Sequence, residues 1–541
     1  MKKYWKSGDP FVWLTGGALA FSLLMILGLI VLILANGLSQ FWPASLTEFQ
    51  MKSGQKVLGE IWEREQIPEF KTDSKEDKYR LRLKIGNRDL YSLDFKWIDE
   101  ANIEEREQPP NAIAIERWEW GNFYGYFSNL KVEGDVVETH LGDAWPRIHD
   151  FLDEMQDLRD QIKEIEEDEI GDISYQMQNL QLDIRQIKLE SEGEQAKTQI
   201  AEKKQKIQEL QSRFEEKEAE LKKLYKQSQR YVLSMSTADE LEQDIKIFDI
   251  VRIYRPNNMN VLRKSGFYAA KVWEFVSAEP RESNTEGGVF PAIFGTVMLV
   301  LIMTVAVVPF GVLAAIYLRE YAKQGFLVRL VRIAVNNLAG VPSIVYGVFG
   351  LGFFIYAVGG TIDQLFYPES LPTPTFGTGG ILWASLTLAL LTVPVVIVAT
   401  EEGLAAVPRE IREGSLALSA TKYETLWRVV IPSAMPGILT GLILAIARAA
   451  GEVAPLMITG VVKLAPTLPI DSHFPFVHLE RKFMHLGFHI YDVGFQSPNV
   501  EAAIPMVYST TVLLLLIVLL LNVVAIAIRN RLRKKLAFST F

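Results

Sequence analysis

The sequence has no cysteine among its 541 residues, which excludes a disulfide framework, a thiolate metal site and a cysteine nucleophile. It also has no Gly-Lys pair, and so no Gly-x-x-x-x-Gly-Lys-Ser/Thr loop to cradle the phosphates of a nucleotide. Any ATP hydrolysis must therefore come from another chain. No nucleophile, base and orienting group recur at catalytic spacing, and no metal quartet is present, so the chain is not read as an enzyme. Basic residues are scarce in one region. Residues 48–286 hold 36 Lys and Arg against 51 Asp and Glu, net −15, whereas the remainder holds 20 against 14, net +6. A region this acidic is a poor nucleic-acid partner, because phosphate contacts require clustered Lys and Arg. The asymmetry also excludes a single soluble globule.

Outside the acidic block, charge is missing over long stretches. A bilayer core of about 30 Å needs roughly 20 apolar helical residues. Six runs meet this length: Pro10 to Thr47, Gly287 to Leu318, Ile333 to Ile362, Ser370 to Thr400, Ile438 to Ile458 and Ala502 to Ile528. The first follows Lys2, Lys3 and Lys6, yet its apolar stretch far exceeds the core of a cleaved signal, so it is read as an uncleaved anchor over residues 1–40. Short basic segments stay in the cytoplasm. The N-terminus, the second-to-third and fourth-to-fifth connections and the tail at 529–541 carry 16 such residues, whereas the opposite short loops carry only Lys463, Arg481 and Lys482. Both termini are thus expected in the cytoplasm and residues 41–286 outside.

Within that external segment, Ile173, Met177, Leu180, Ile184 and Ile187 form a heptad ladder. A second, out of phase, runs Ile200, Ile207, Leu210, Phe214, Leu221 and Leu224. The break falls in Glu190-Ser191-Glu192-Gly193-Glu194. An antiparallel coiled-coil hairpin over 151–230 satisfies both pattern and topology, and one continuous helix with a stutter is the alternative. The flanks, 41–150 and 231–286, read as β-rich: Tyr79, Leu81, Leu83 and Ile85 alternate, and Ile247 to Tyr254 is rich in β-formers. Trp118, Trp120, Phe123, Tyr124, Tyr126 and Phe127 suit either sugar or lipid headgroups or, as read here, the core of a small β-domain.

Two segments carry the chemistry. In residues 401–433, Pro408 suits a first helical position, and Thr421 with Glu424 forms a capping box that opens a second helix. In the fifth run, Arg448 lies at the centre and Glu452 four residues on, on one helical face where they can pair. A charge at mid-membrane costs at least about 2.5–3.5 kcal/mol, so it should face a cavity or a partner. Guanidinium is also the side chain best shaped to hold a tetrahedral oxyanion through two hydrogen bonds. Asn336, Asn337 and Ser343 are polar positions of the third run; lining a path and bonding between helices are both open to them. His473, His478, His485 and His489 cluster in the last outer loop, without an obvious acidic third ligand, and no metal site is assigned.

At these residues the sequence resembles a known family. Glu413, Ser419, Val429, Ile431 and Pro432 fall at the places of the EAA loop of ABC-importer permeases, with Gly414 and Ser415 for the two alanines and Ser419 for the usual glycine. Ala447-Arg448-Ala449-Ala450-Gly451-Glu452-Val453-Ala454-Pro455-Leu456 is similar to the signature of phosphate-importer permeases of the PstA type, with Val453 for threonine. Gly311 to Leu318 and Gly340 to Val345 are similar to the same family.

The resemblance covers residues 287–528 and implies an all-α polytopic membrane protein with the ABC-importer permease fold and six transmembrane helices; it does not cover the acidic block, whose own pattern makes it an external α+β insertion. It implies a subunit of an ATP-driven phosphate importer in a bacterial inner membrane, partnered by a second permease, an ATPase pair and an external phosphate-binding protein, with no cofactor of its own. It places Arg448 and Glu452 on the phosphate path, which Asn337 and Ser343 would extend, and it makes Arg412, Glu413, Ala417, Ser419 and Pro432 the ATPase-coupling loop. The rival expectation is a membrane-anchored structural or sensory protein that works through its external coiled coil.

Overall fold

The computed structural model describes residues 9–67, 79–190, 193–497 and 499–538. Lys2, Lys3, Lys6, Ser191 and Glu192 lie outside them. The chain divides into two compact units, Met1–Gln40 with Glu274–Phe541, and Phe41–Trp273. The elements are numbered in chain order within them.

The first unit begins with helix α1 (Asp9–Ser39). The second unit contains two antiparallel sheets. Strands β1 (Leu46–Met51), β2 (Lys56–Gln66), β3 (Tyr79–Lys84), β4 (Phe95–Asp99) and β5 (Ile103–Glu107) pair in the order β4-β3-β2-β1-β5. Strands β6 (Ile113–Arg117), β7 (Phe123–Val132), β8 (Asp135–Glu138), β9 (Tyr231–Ser236), β10 (Glu242–Lys246) and β11 (Ile250–Tyr254) form the other, β10-β9-β7-β6-β11 with β8 on β7. The alternation at Leu81 and Leu83 does build β3, with both side chains buried. Phe123 and Tyr124 are fully buried, so these two aromatics pack the β-domain.

Between β8 and β9 run helices α2 (Leu141–Lys163), α3 (Gly171–Glu190) and α4 (Glu194–Gln227), with a π-helical segment at Glu164–Ile170 between the first two. The helical region starts ten residues before the heptad ladder suggests. The apolar face of α2 (Ile148, Leu152, Met155) packs in one core with Leu233 and Met235 of the second sheet. Farther out, α4 runs antiparallel to α3. Lys203 pairs with Asp183 at 2.6 Å and Lys217 with Glu169, and the Tyr225 hydroxyl donates to Glu166 at 2.8 Å. Helix α5 (Val261–Ser277) ends the second unit's sequence and enters the first.

The rest of the first unit holds α6 (Phe290–Ile316), α7 (Phe326–Leu338), α8 (Ser343–Phe349), α9 (Gly360–Phe366), α10 (Ile381–Ala405), α11 (Arg409–Ala417), α12 (Lys422–Thr425), α13 (Ile431–Ala450), α14 (Ala454–Thr459), α15 (Leu486–Tyr491) and α16 (Val500–Phe538). Among the described residues, six helical stretches are long and apolar enough to cross a bilayer: Phe11–Ser39, Phe290–Tyr321, Ser343–Phe366, Ile381–Ala405, Lys422–Ala450 and Val500–Arg531. Lipid gives apolar side chains no drive to leave it, so helix association depends on close backbone approach. That is the use of Gly403 and Gly437: a Cβ on Gly437 would stand 2.6 Å from the Cα of Gly403, where α10 and α13 touch. Farther along α10, Leu388, Leu391 and Val396 pack with Leu299, Met303 and Val307 of α6 in the buried core.

Three spans differ from the hydropathy reading, the fourth running Ile381–Ala405 rather than Ser370 to Thr400. The third starts at Ser343 rather than Ile333, because Gly340-Val341-Pro342 ends α7 as a separate amphipathic helix. Asn336 and Asn337 are therefore not in that span. They sit exposed at the end of α7. The fifth ends at Ala450 rather than Ile458, because Gly451 and Val453 leave helical continuity and Pro455 opens a new short helix.

Candidate translocation site and coupling loop

Arg448 belongs to the last turn of α13, not the centre of a span. The backbone then turns: Gly451 N–H donates to the Arg448 carbonyl at 3.2 Å and Glu452 N–H to that of Ala449 at 3.2 Å. The side chains still meet across this turn, Arg448 Nε lying 3.6 Å from Glu452 Oε1, and each is largely buried. Ala445, Ala449 and Ala450 on the neighbouring turn are fully buried, so α13 is pressed into the bundle on that side. Helix α14 seats against α8, where a Cβ on Gly347 would lie 2.8 Å from Pro455 Cα. Ser343 is the first residue of α8, and Tyr346, one turn on, is buried in the same core as Ala449 and Leu456 and lies in the electrostatic reach of Arg448. The Tyr346 hydroxyl donates to the Leu338 carbonyl at 2.8 Å, tying α8 back to α7. Thus Arg448, Glu452 and the helix carrying Ser343 converge, and Asn337 does not join them by its side chain. Tyr346 was missed from sequence, where an aromatic in an apolar run carries no polar signal.

The arrangement suits an anion. Two-thirds of the Arg448 side chain is withdrawn from water in this chain alone, and its charge is offset by one carboxylate. A bound oxyanion would compete with Glu452 for the guanidinium rather than meet an unpaired charge.

At residues 401–433 the paired helices form as α11 and α12. Pro408 is the residue before the first helix, not its first position. The capping box is present in both directions: Glu424 N–H donates to Thr421 Oγ1 at 3.2 Å, and Thr421 N–H to Glu424 Oε2 at 2.9 Å. Ser419 makes the turn at φ +65°, the left-handed region that costs a residue with a Cβ about 1–2 kcal/mol. Ser419→Gly should therefore stabilise the chain, by about 0.5–1 kcal/mol once the larger unfolded-state entropy of glycine is subtracted. Thermal unfolding in detergent checks this: a midpoint at or below that of the parent contradicts it.

The loop residues separate into two kinds. Arg412 is not available at the surface, since Nη1 donates to Glu320 at 2.6 Å and Nη2 to the Leu404 carbonyl. Lys422 Nζ donates to the Glu320 carbonyl as well, so Glu320, a residue sequence reading passed over, knits the loop to the end of the second span. Glu413, Ala417 and Ser419 are exposed, beside Leu416, Tyr423, Trp427 and Leu418, the last 86% exposed. Pro432 lies in the first turn of α13, where its missing N–H leaves no helical bond unmade.

The outer-loop histidines also divide. His478 is buried between Asp471 at 3.0 Å and Glu480 at 3.1 Å, and Arg481 pairs with Asp471 at 2.6 Å. Hydrogen bonds from the His473 N–H and Arg481 outweigh burial and draw Asp471 down to about 2. His485 caps α15, its Nδ1 accepting from Gly487 N–H at 3.1 Å. Burial lowers His485 to about 3; burial, helped by Lys463, lowers His489 to about 4. Among the described residues no set of three or more His, Asp or Glu is arranged to hold a metal ion. Because both folded values lie below the ordinary histidine value of 6.5, the unfolded chain binds more protons in acid. The stability from these two sites is complete above pH 6.5 and falls as the pH drops through that value toward 4 and 3. In acid-unfolding curves, His485→Asn, which keeps a capping acceptor, should flatten that fall; an unchanged slope contradicts the assignment.

Residues 307–538 match the family described as the inner membrane component of binding-protein-dependent transport systems. In sequence the chain is similar to phosphate permeases of the PstA type. The phosphate transport system permease protein PstA 1 of Mycobacterium tuberculosis (strain CDC 1551 / Oshkosh) is 40% identical over 172 residues, 32% of this chain and 51% of that protein. PstA of Mycobacterium leprae (strain TN) is 36% identical over 203 residues, 37% of this chain and 61% of that protein. The chain thus spans between about half and three-fifths of the length of these curated relatives. An inward-facing structure of the MetNI methionine ABC transporter aligns at 18% identity with TM-score 0.34, over 44% of this chain and 94% of that one.

Proposed function

We propose that the chain is one permease subunit of an ATP-driven importer of inorganic phosphate, with Arg448 holding the oxyanion in transit. The observation that carries this reading is the Arg448–Glu452 pair at a helix break, inside the segment that matches the transporter family and in a chain similar to phosphate permeases. Glu452 keeps the guanidinium paired between passages, and α8, with Ser343 and Tyr346, supplies the facing wall. Asn337 belongs to the mouth of the path rather than its wall.

The partners follow from the same reading. A second permease completes the pore, a pair of ATPase subunits supplies the energy and binds the ATP, and an external protein delivers phosphate. Glu413, Ala417 and Ser419, with the exposed apolar side chains around them, form the surface the ATPase grips; Arg412 and Pro432 hold that surface in shape. Both termini are cytoplasmic and residues 41–286 are extracytoplasmic. The coiled-coil arm there is acidic and repels free phosphate, so it docks proteins rather than collecting the anion.

The test is isolation from membranes in mild detergent, with identification of the accompanying proteins and measurement of phosphate uptake in vesicles. Intact chain that brings down an ATPase and a second permease, with Glu413→Lys bringing down no ATPase, is the expected result. Recovery of only further copies of the chain, held through residues 151–230, would replace the importer by a structural role for the arm.

A further inference from the structure

Helix α5 has two unlike faces. On one, Lys264 Nζ donates to the Pro43 carbonyl at 3.3 Å, Lys271 Nζ to Glu116 at 2.6 Å, and the Phe267 ring meets Tyr254 at 4.6 Å between centroids. Tyr268 lies against Phe41 and Trp42 at 6.1 and 6.2 Å. The other face carries Leu262, Gly266, Ala269 and Trp273, at spacings of four, three and four, and Val261 beside them. Leu262 is 82% exposed and Trp273 72%. Water is a costly surrounding for such a stripe, at about 25 cal/mol per Å² of apolar surface.

Three further observations say what covers it. From Val261 to Trp273 there are three basic residues and no acidic one, although residues 48–286 as a whole are net −15. Lys264 and Lys271 are engaged on the packed face, so the charge left beside the exposed apolar stripe is the cation Arg263, a combination that suits anionic lipid headgroups. Tryptophan and tyrosine close the stripe at Trp273 and at the Trp42–Tyr268 contact, the residue types that settle at the bilayer boundary. Finally, Trp42 follows the end of α1, Ser39, by three residues, a reach of about 10 Å, and α1 is apolar along its length and exposed, as a helix in lipid is.

We propose that α5 is an interfacial helix that lies on the same bilayer the chain crosses, with Leu262, Ala269 and Trp273 at the headgroup–acyl boundary and Arg263 among anionic headgroups. The external domain is then held to the membrane along this helix as well as by its covalent ends. The inference does not depend on which solute is carried.

Because the sequence has no cysteine, one introduced thiol is labelled uniquely. A nitroxide on Ala269→Cys, and separately on Leu262→Cys, is compared with one on Gln205→Cys of α4, all in the full transporter reconstituted into phosphatidylcholine–phosphatidylglycerol vesicles. At 262 and 269 lipid-dissolved oxygen should relax the label more strongly than a water-soluble nickel chelate, with the order reversed at 205. Nickel access at 262 and 269 equal to that at 205 would mean a solvated face and overturn the proposal. Protection from both reagents would assign the face to a protein partner and overturn it equally.

Discussion

Arg448→Gln should reduce phosphate uptake by about 30- to 1000-fold while the chain still assembles. The size follows from removing one member of a desolvated, charge-assisted contact, about 2–4 kcal/mol, at about 1.4 kcal/mol per factor of ten. Glutamine keeps the length and a hydrogen-bond donor but neither the charge nor the fork that grips two oxygens at once. Assembly should survive, because the side chain lies at the end of α13 and the tight packing belongs to Ala445, Ala449 and Ala450. Substitution also leaves Glu452 unpaired. Arg448→Gln combined with Glu452→Gln therefore separates the two effects: the double variant should recover any stability lost and remain inactive. Uptake within a few-fold of the parent in Arg448→Gln vesicles, with normal amounts of complex, would remove Arg448 from the phosphate path.

The second large effect concerns the loop. Arg412→Ala and Glu413→Lys should both abolish uptake, but for opposite reasons. Arg412 is held by Glu320 and the Leu404 carbonyl, and the pair is only 23% and 13% exposed. Its removal strands Glu320 and should cost about 2–3 kcal/mol, less than the 3–5 of a fully buried pair because water still reaches this one. The thermal midpoint of the isolated chain should fall. Glu413 is exposed in the middle of α11. Glu413→Lys should leave the thermal midpoint unchanged and remove the ATPase from the purified complex. If Glu413→Lys lowered the midpoint as much as Arg412→Ala, the distinction between a brace and a docking residue would fail.

That distinction marks where sequence stops being informative. The two residues are adjacent and both fit the loop pattern, yet the partner that fixes the role of Arg412 lies 92 residues away, with two membrane-length helices between them in the chain. The capping box, by contrast, was legible because Thr421 and Glu424 are three residues apart and satisfy each other. Ser419 shows both sides: its place in the pattern was readable, and the reason glycine is usual there required the backbone, which turns left-handed at that residue.

Composition and spacing alone determined that the chain carries six membrane-length apolar stretches, an acidic domain with strands and long helices, a paired-helix loop, and an Arg–Glu pair in apolar surroundings. These follow from forces acting over a few residues: the thickness of the bilayer, the period of a helix or strand, the hydrogen bonds of a cap. Only the tertiary structure decided that Arg448 ends its helix rather than centring it, that the third span begins at Ser343, that α4 turns back along α3, and that Glu320 anchors the loop. Each of those depends on contacts between residues distant in sequence, on whether a glycine or proline breaks a helix against its neighbours, and on which of two faces packing leaves open.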